Sequence, residues 1–237
     1  MSILRKMLNA VRVLILGKPM TSESYIASLR SRGAAVGERT TIFDCKSVMI
    51  DMTRPELIEI GDDVQITHGV IILTHGYDWS VLKGISGEIL GSAGKVTIGN
   101  NVFIGMNSII LKGCTVGNNV IIGAGSVVTH DIPDNSVAVG NPARVISTVD
   151  AYCEKRKAAQ YDEAAQLVRE YRRVHHCDPD DKVLDEFFWL FSNDGDRMPE
   201  AWDSQMRLVG NYDLSMEKFR AHTPRFSSKE EFLRSVR

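Results

Sequence analysis

A mainly β fold, a parallel β-helix built from hexapeptide repeats, is what this sequence predicts, and three observations predict it. One five-residue pattern occurs three times, as Ile60-Gly61-Asp62-Asp63-Val64, Ile98-Gly99-Asn100-Asn101-Val102 and Val116-Gly117-Asn118-Asn119-Val120. Aliphatic residues recur every six positions at Ile98, Ile104, Ile110, Val116, Ile122 and Val128. Glycine follows them at positions 99, 105, 117 and 123. A helix repeats its apolar face near 3.6 residues and a strand at 2, so a period of six fits neither as one continuous element. It fits a coil with three short sides, each turning one aliphatic residue inward before a corner.

The elements follow in order. Residues 1–35 read as helical, with Thr21 or Ser22 as N-cap and Gly33 as a stop. Within them, Arg5, Lys6 and Arg12 accompany the apolar run Val13-Leu14-Ile15-Leu16. That run is too short to span a bilayer, and no cleavage site follows it. It suits a helix packed on the coil end, with peripheral membrane contact as the alternative. Residues 36–146 form the coil. Val36, Ile42 and Val48 begin the register, Arg54-Pro55 marks an irregular side, and Ile60, Ile66 and Ile72 resume it. The first two copies of the pattern start 38 residues apart, which is 18 plus 20. An excursion over 76–96 accounts for the extra length, and its glycines and leading aromatics predict an exposed loop. Residues 147–237 lose the six-residue period. Leu167, Tyr171 and Val174 keep helical spacing there. The segment Val183–Phe191 is apolar nearly all round and must be buried, against an open coil end or a neighbouring subunit.

Bulk properties exclude some classes. The formal charge is −2, with no basic footprint for nucleic acid. The four cysteines, Cys45, Cys114, Cys153 and Cys177, form no zinc or redox spacing, which fits a reducing cytoplasm.

The run Ile98 to Ile146, IGNNVFIGMNSIILKGCTVGNNVIIGAGSVVTHDIPDNSVAVGNPARVI, resembles the signature of the hexapeptide-repeat acyltransferases, which include galactoside, maltose, serine and polysaccharide O-acetyltransferases. The resemblance covers residues 33–146. It implies a left-handed β-helix, a homotrimer, acetyl-CoA as co-substrate bound between coils, and no metal. The long tail after residue 150 departs from the short tails of the galactoside enzymes.

Transfer from a thioester to a hydroxyl needs a base for the hydroxyl proton, and histidine suits that role. His75, in Thr74-His75-Gly76-Tyr77, stands at a coil corner just before the excursion and resembles the family's catalytic histidine. The alternative is a corner histidine satisfied by backbone. His68, two residues after an inward aliphatic, is the rival and reads as exposed or at a subunit interface. By the same resemblance the pantetheine arm of acetyl-CoA runs near Phe103, Met106, Ala124 and Thr129, and Arg144 of Gly140-Asn141-Pro142-Ala143-Arg144 reaches a CoA phosphate. His130 is a further candidate for phosphate or ribose. Tight coil packing and solvated side chains explain the same residues without a ligand. Asp44 aligns with an acceptor-binding asparagine of the galactoside enzymes, although a carboxylate capping backbone explains it equally. Asp78 and Trp79 are suited to hydrogen-bonding and stacking on a sugar, or to pinning the excursion down.

The expected function is a CoA-dependent O-acetyltransferase acting on a sugar or glycan precursor. N-acetylation of an amino sugar on the same coil is an alternative. A γ-class carbonic anhydrase would need three converging histidines, and His68 and His75 are seven apart with the next coil histidine at 130. A non-catalytic scaffold is the remaining alternative.

Overall fold

The computed structural model describes residues 20–237. The basic, apolar run within residues 1–19, and with it the readings of a helix packed on the coil or touching a membrane, lies outside them. The chain divides into two compact units, Met1–Val149 and Asp150–Arg237. Among the described residues no helix is long and apolar enough to cross a membrane.

The first unit is a coil of three sheets. One contains Ala35–Val36, Ile58–Ile60, Val96–Ile98 and Thr115–Val116. The second contains Thr41–Ile42, Gln65–Ile66, Val102–Ile104, Val120–Ile122, Ser136–Val139 and Arg144–Thr148, and only its last pairing is antiparallel. The third contains Met49–Ile50, Ile71–Ile72, Ile109–Ile110 and Val127–Val128. Downstream partners are 18 residues apart on every sheet, as in Thr97↔Thr115, Phe103↔Ile121 and Ile109↔Val127, until the last parallel pairing, Ile121↔Val137, shortens to 16. Across the excursion the separation is 38 on every sheet, as in Glu59↔Thr97, Gln65↔Phe103 and Ile71↔Ile109. The period-six aliphatics Ile98, Ile104, Ile110, Val116, Ile122 and Val128 are all buried in one core that runs up to Ile42 and Ile50. Parallel pairing satisfies each backbone while the inward residues stack in rows.

The recurring Gly-[Asp/Asn]-[Asp/Asn] is a corner with a separate duty for each residue. The first polar side chain accepts a backbone N–H from the coil before it: Glu38 N–H donates to Asp62 Oδ1 (2.7 Å), Asp62 to Asn100 (2.7 Å), Asn100 to Asn118 (2.8 Å) and Asn118 to Asp134 (2.8 Å). The second polar residue turns the corner with positive φ, at Asp63, Asn101, Asn119 and Asn135. Asparagine and aspartate tolerate that region better than most non-glycine residues. Amides also join rung to rung, Asn101 to Asn119 and Asn119 to Asn135, both at 2.9 Å. The glycine is required by the close approach of the next coil: a Cβ on Gly99 would lie 2.8 Å from the Gly117 carbonyl oxygen.

Two details differ from expectation, and the helix ahead of the coil starts at an expected cap. In the first coil Thr41↔Gln65 are 24 apart but Met49↔Ile71 only 22, so Ile50 rather than Val48 pairs with Ile72. The slip lies in the corner between Ile42 and Met49, which is two residues longer than the corner between Ile66 and Ile71, and a 3₁₀ turn, Pro55–Leu57, forms the irregular side that follows. The excursion is not a plain loop: the antiparallel pair His75–Gly76 and Ser92–Ala93 closes its neck, and a helix, Trp79–Ser86, occupies its tip and buries no residue. Ahead of the coil, helix Ser22–Ser31 starts from a Thr21–Ser24 capping box and drops Ile26 and Leu29 into the core.

The second unit has helices Val149–His175, Glu200–Arg207, Tyr212–Ala221 and Lys229–Ser235. Val183–Phe191 forms turns and a 3₁₀ segment, Phe188–Leu190. Leu184, Phe188, Leu190 and Phe191 are buried within their own unit beside Trp202, Phe219 and Phe232. Phe188 stacks on Trp202 at 5.0 Å. Arg172 donates to the Leu233 (2.8 Å) and Val236 (2.6 Å) carbonyls, satisfying the end of the last helix. His176 ends the long helix in the left-handed conformation.

Candidate active site

His75 is fixed from three directions. The neck of the excursion holds its backbone, the preceding Thr74 is fully buried, and the coil before it supplies a carboxylate, Asp51. Asp51 receives five donors. Oδ1 accepts from Thr53 N–H (3.0 Å) and Thr53 Oγ1–H (2.6 Å). Oδ2 accepts from Thr74 N–H (3.1 Å), Thr74 Oγ1–H (2.5 Å) and His75 Nδ1 (2.5 Å). Burial opposes ionisation of Asp51, but the bonds from Thr53, Thr74 and His75 outweigh it and hold the carboxyl well below its ordinary range. An ionised carboxylate only accepts, so Nδ1 of His75 carries a proton, and in the neutral imidazole the lone pair lies on Nε2. The Asp51 side chain is 4% exposed and that of His75 15%, so the pair is buried at its acid end and opens at the imidazole.

Aromatics lead outward from the histidine. Tyr77 meets the His75 ring edge-on at 5.2 Å, and Trp79 lies 5.9 Å from Tyr77. Asp78 folds over Gly76, where a Cβ would come within 2.5 Å of its Oδ1 and 3.8 Å of Lys112 Cε. His75, Asp78 and Trp79 therefore form one cluster, to which the structure adds Asp51, Thr53, Thr74 and Tyr77.

Asp44 is not part of that cluster. It stands at the corner before the third sheet and bonds His68, with Nδ1 to Oδ2 at 2.7 Å, whereas His75 stands after that sheet. His68, the rival base, has its imidazole half exposed. Its carbonyl accepts Asn107 N–H, which brings Met106 to the same corner. Phe103 points outward on the neighbouring strand, and the Met106 carbonyl accepts Gly125 N–H next to Ala124. Farther along the coil, His130 and Arg144 line one cavity of about 280 Å³ with Asp131, Ile132, Ala143 and Val145. Thr129 Oγ1 bonds His130 Nδ1 at 2.7 Å, and Arg144 Nη1 rests on the Ala143 carbonyl at 2.8 Å. Two cationic or protonatable heads in one cavity fit phosphate. Among the described residues no three His, Cys, Asp or Glu side chains converge as a metal site.

Comparison with known proteins bears on the whole coil. A model of the bacterial transferase hexapeptide (six repeats) family matches residues 95–130. Protein CapG of Staphylococcus aureus is 48% identical over 128 residues, covering 52% of this chain and 71% of that protein. Galactoside O-acetyltransferase of Escherichia coli (strain K12) is 43% identical over 93 residues, covering 39% of this chain and 45% of that protein. The crystal structure of a maltose O-acetyltransferase from Clostridium difficile 630 is 33% identical, covers 53% of this chain and 75% of that one, and superposes with a TM-score of 0.42. The repeat, its three-sheet register and the extent of the match to protein CapG establish that this chain belongs to the bacterial hexapeptide-repeat transferases.

Proposed function

We propose that this transferase is a cytoplasmic O-acetyltransferase that moves the acetyl group of acetyl-CoA to a hydroxyl of a sugar or glycan precursor. The observation that carries this reading is the Asp51–His75 pair. His75 Nε2 takes the hydroxyl proton as the acceptor oxygen attacks the thioester carbonyl. The tetrahedral intermediate then collapses, the C–S bond breaks, and His75 returns the proton to the leaving sulfur. Asp51 stabilises the imidazolium in between. Asp78 and Trp79 receive the acceptor, and the cavity of His130 and Arg144 receives phosphate of the donor. Phe103, Met106, Ala124 and Thr129 lie along the path between. The likeness to galactoside O-acetyltransferase supports oxygen as the acceptor atom.

The coil is left-handed in this reading and assembles as a homotrimer. The outward faces of the three sheets support a second copy as partner. The third sheet turns out Met49, Ile71, Ile109 and Val127, and the second turns out Phe103 and Ile121 after Thr41 and Gln65. The first turns out Ala35, Glu59, Thr97 and Thr115, with Glu59 paired to Lys95. Two apolar faces and one polar face fit a ring in which each copy is covered on two sides.

Thiol release from acetyl-CoA should depend on a sugar drawn from a panel of hexoses, deoxyhexoses and hexosamines. Light scattering should give about three times the 26.4 kDa chain mass. Failure to bind acetyl-CoA in calorimetry would reject the reading, and a monomer that turns over would reject the assembly.

A further inference from the structure

Among the described residues two buried side-chain polar atoms lack a hydrogen-bond partner, Arg54 Nη1 and Gln65 Oε1. The Gln65 amide is neutral and belongs to the second sheet. The guanidinium is charged, and it belongs to the corner that faces the base. Arg54 follows Asp51 and Thr53 and opens the 3₁₀ turn Pro55–Leu57. Asp51 N–H donates to the Ile72 carbonyl, so this corner lies against the one that carries Thr74 and His75. Thr53 Oγ1 is 3.4 Å from His75 Nδ1.

A guanidinium has five N–H donors, and leaving a buried one unmade is costly. The carboxylates nearby do not supply the partner. Asp51 is taken by Thr53, Thr74 and His75. Glu59 pairs with Lys95, and Glu56 is exposed and does not bond Arg54 Nη1. The next coil brings a second cation. In the third sheet the strand before His75 lies between Met49–Ile50 and Ile109–Ile110, and Leu73 N–H donates to the Ile110 carbonyl. The corner after Ile110 therefore flanks His75 on the other side. There Lys112 runs past Gly76, where a Cβ would come within 3.8 Å of its Cε. Among the described residues neither Arg54 nor Lys112 enters an ion pair; the pairs on this side are Asp51–His75 and Glu59–Lys95. Asp78 shares the side of Lys112 and partly offsets it, so the guanidinium is the main site. A planar fork of donors suits a carboxylate or a phosphate.

We propose that Arg54 is a specificity-determining residue that binds an acid group of the acceptor while a hydroxyl of the same molecule faces His75. The acceptor is then an anionic sugar, carrying a carboxylate or a phosphate, and Lys112 adds to the attraction from the following coil. This inference rests on the transferase reading above. The phosphates of the donor are met elsewhere, in the cavity of His130 and Arg144.

Matched acceptors separate the sources of charge. Methyl glucuronoside and galacturonoside are compared with methyl glucoside and galactoside for a carboxylate, and hexose 1-phosphates with the same neutral glycosides for a phosphate. Affinities are read first by saturation-transfer NMR on the full chain loaded with CoA, which needs no turnover. One charged set should bind about tenfold tighter than its neutral counterparts, Arg54→Gln should abolish that preference, and Arg54→Lys should restore part of it. Acceptor KM in thiol release should follow the same order, with the acetyl-CoA KM unmoved by Arg54→Gln. The ratio of charged to neutral is the readout that a structural role would not change, since a distorted corner weakens both members together. Equal binding of charged and neutral sugars, binding of neither, a preference that survives Arg54→Gln, or a raised acetyl-CoA KM overturns the inference and leaves His75 as base. A preference that Arg54→Gln abolishes, in a chain that releases no thiol with any sugar, keeps the anion site and overturns the transferase reading.

Discussion

His75→Ala is expected to lower turnover about 10²–10⁴-fold, the usual worth of a general base, while the assembly and acetyl-CoA affinity stay near normal. The side chain sits at a corner and opens outward, so its loss removes no part of the buried aliphatic column. The residue also bonds Asp51, and that bond is the one structural cost. Four donors from Thr53 and Thr74 remain on the carboxylate after the change, so Asp51 stays ionised and paired. Single-turnover thiol release, with calorimetry for donor binding, separates the two quantities. Loss of donor binding together with turnover would mean that His75 supports the cleft rather than the proton transfer.

Asp51→Asn should cost as much or more, and for a different reason. The carboxylate takes five donors on two oxygens, and two of them are backbone N–H groups, from Thr53 and Thr74, that cannot turn away. An amide offers one carbonyl and presents an NH₂ to the other side. Turned one way the NH₂ faces Thr53 N–H; turned the other it faces Thr74 N–H and His75 together. Either way the coil is destabilised by about 1–3 kcal/mol, the usual range for a buried donor left unmade. The second orientation also reverses the tautomer of His75, puts its proton on Nε2 and removes the base, for a loss of about 10²–10⁴ in kcat. The acid limb of stability reports the same residue. Asp51 has a folded pKa below its unfolded value, so its contribution is full above about pH 4 and is lost as pH falls from there toward the folded value. Urea midpoints should therefore decline on acidification below about pH 4 in the native chain and decline less in the Asn variant. Parallel curves, or unchanged turnover, would remove Asp51 from the site.

The coil was legible because each corner repeats one chemical solution. A glycine leaves room for the next coil, one polar side chain caps it, and a second accepts positive φ, so the pattern Gly-Asn-Asn is readable without knowing what stacks on it. Asp51 was not legible for the opposite reason. Its partners Thr74 and His75 lie one coil away, and the first coil changes its step from 24 to 22 between Thr41 and Met49. The Asp51–His75 and Asp44–His68 pairs share a separation of 24 residues, whereas the strand Met49–Ile50 that lies between the two acids pairs at 22, so the separation of the strands does not give that of the pairs. The excursion helix Trp79–Ser86 carried only a short helical spacing, Val81, Leu82 and Ile85, among glycines that read as a loop, and all three side chains are exposed. The aromatic segment Val183–Phe191 signalled burial but not shape, since a run apolar on all sides fits a buried helix and a packed turn alike.

The difference between steps of 18 and 38 residues also bears on how the chain assembles itself. Closing a longer loop costs more entropy, and the increase from 18 to 38 amounts to about 0.7 kcal/mol for each first contact made across the excursion. The downstream coils, from Val96 to Val139, pair at short range and offer the cheapest nucleus. The upstream coils then dock onto an edge that already exists. Amide exchange should accordingly be slowest at Ile104, Ile110 and Ile122 and faster at Ile42 and Ile50, and the reverse order would place the nucleus upstream. On this account the excursion is a kinetic boundary as well as a wall: the element carrying Tyr77 and Trp79 closes last, after the scaffold that will hold the chemistry is already rigid.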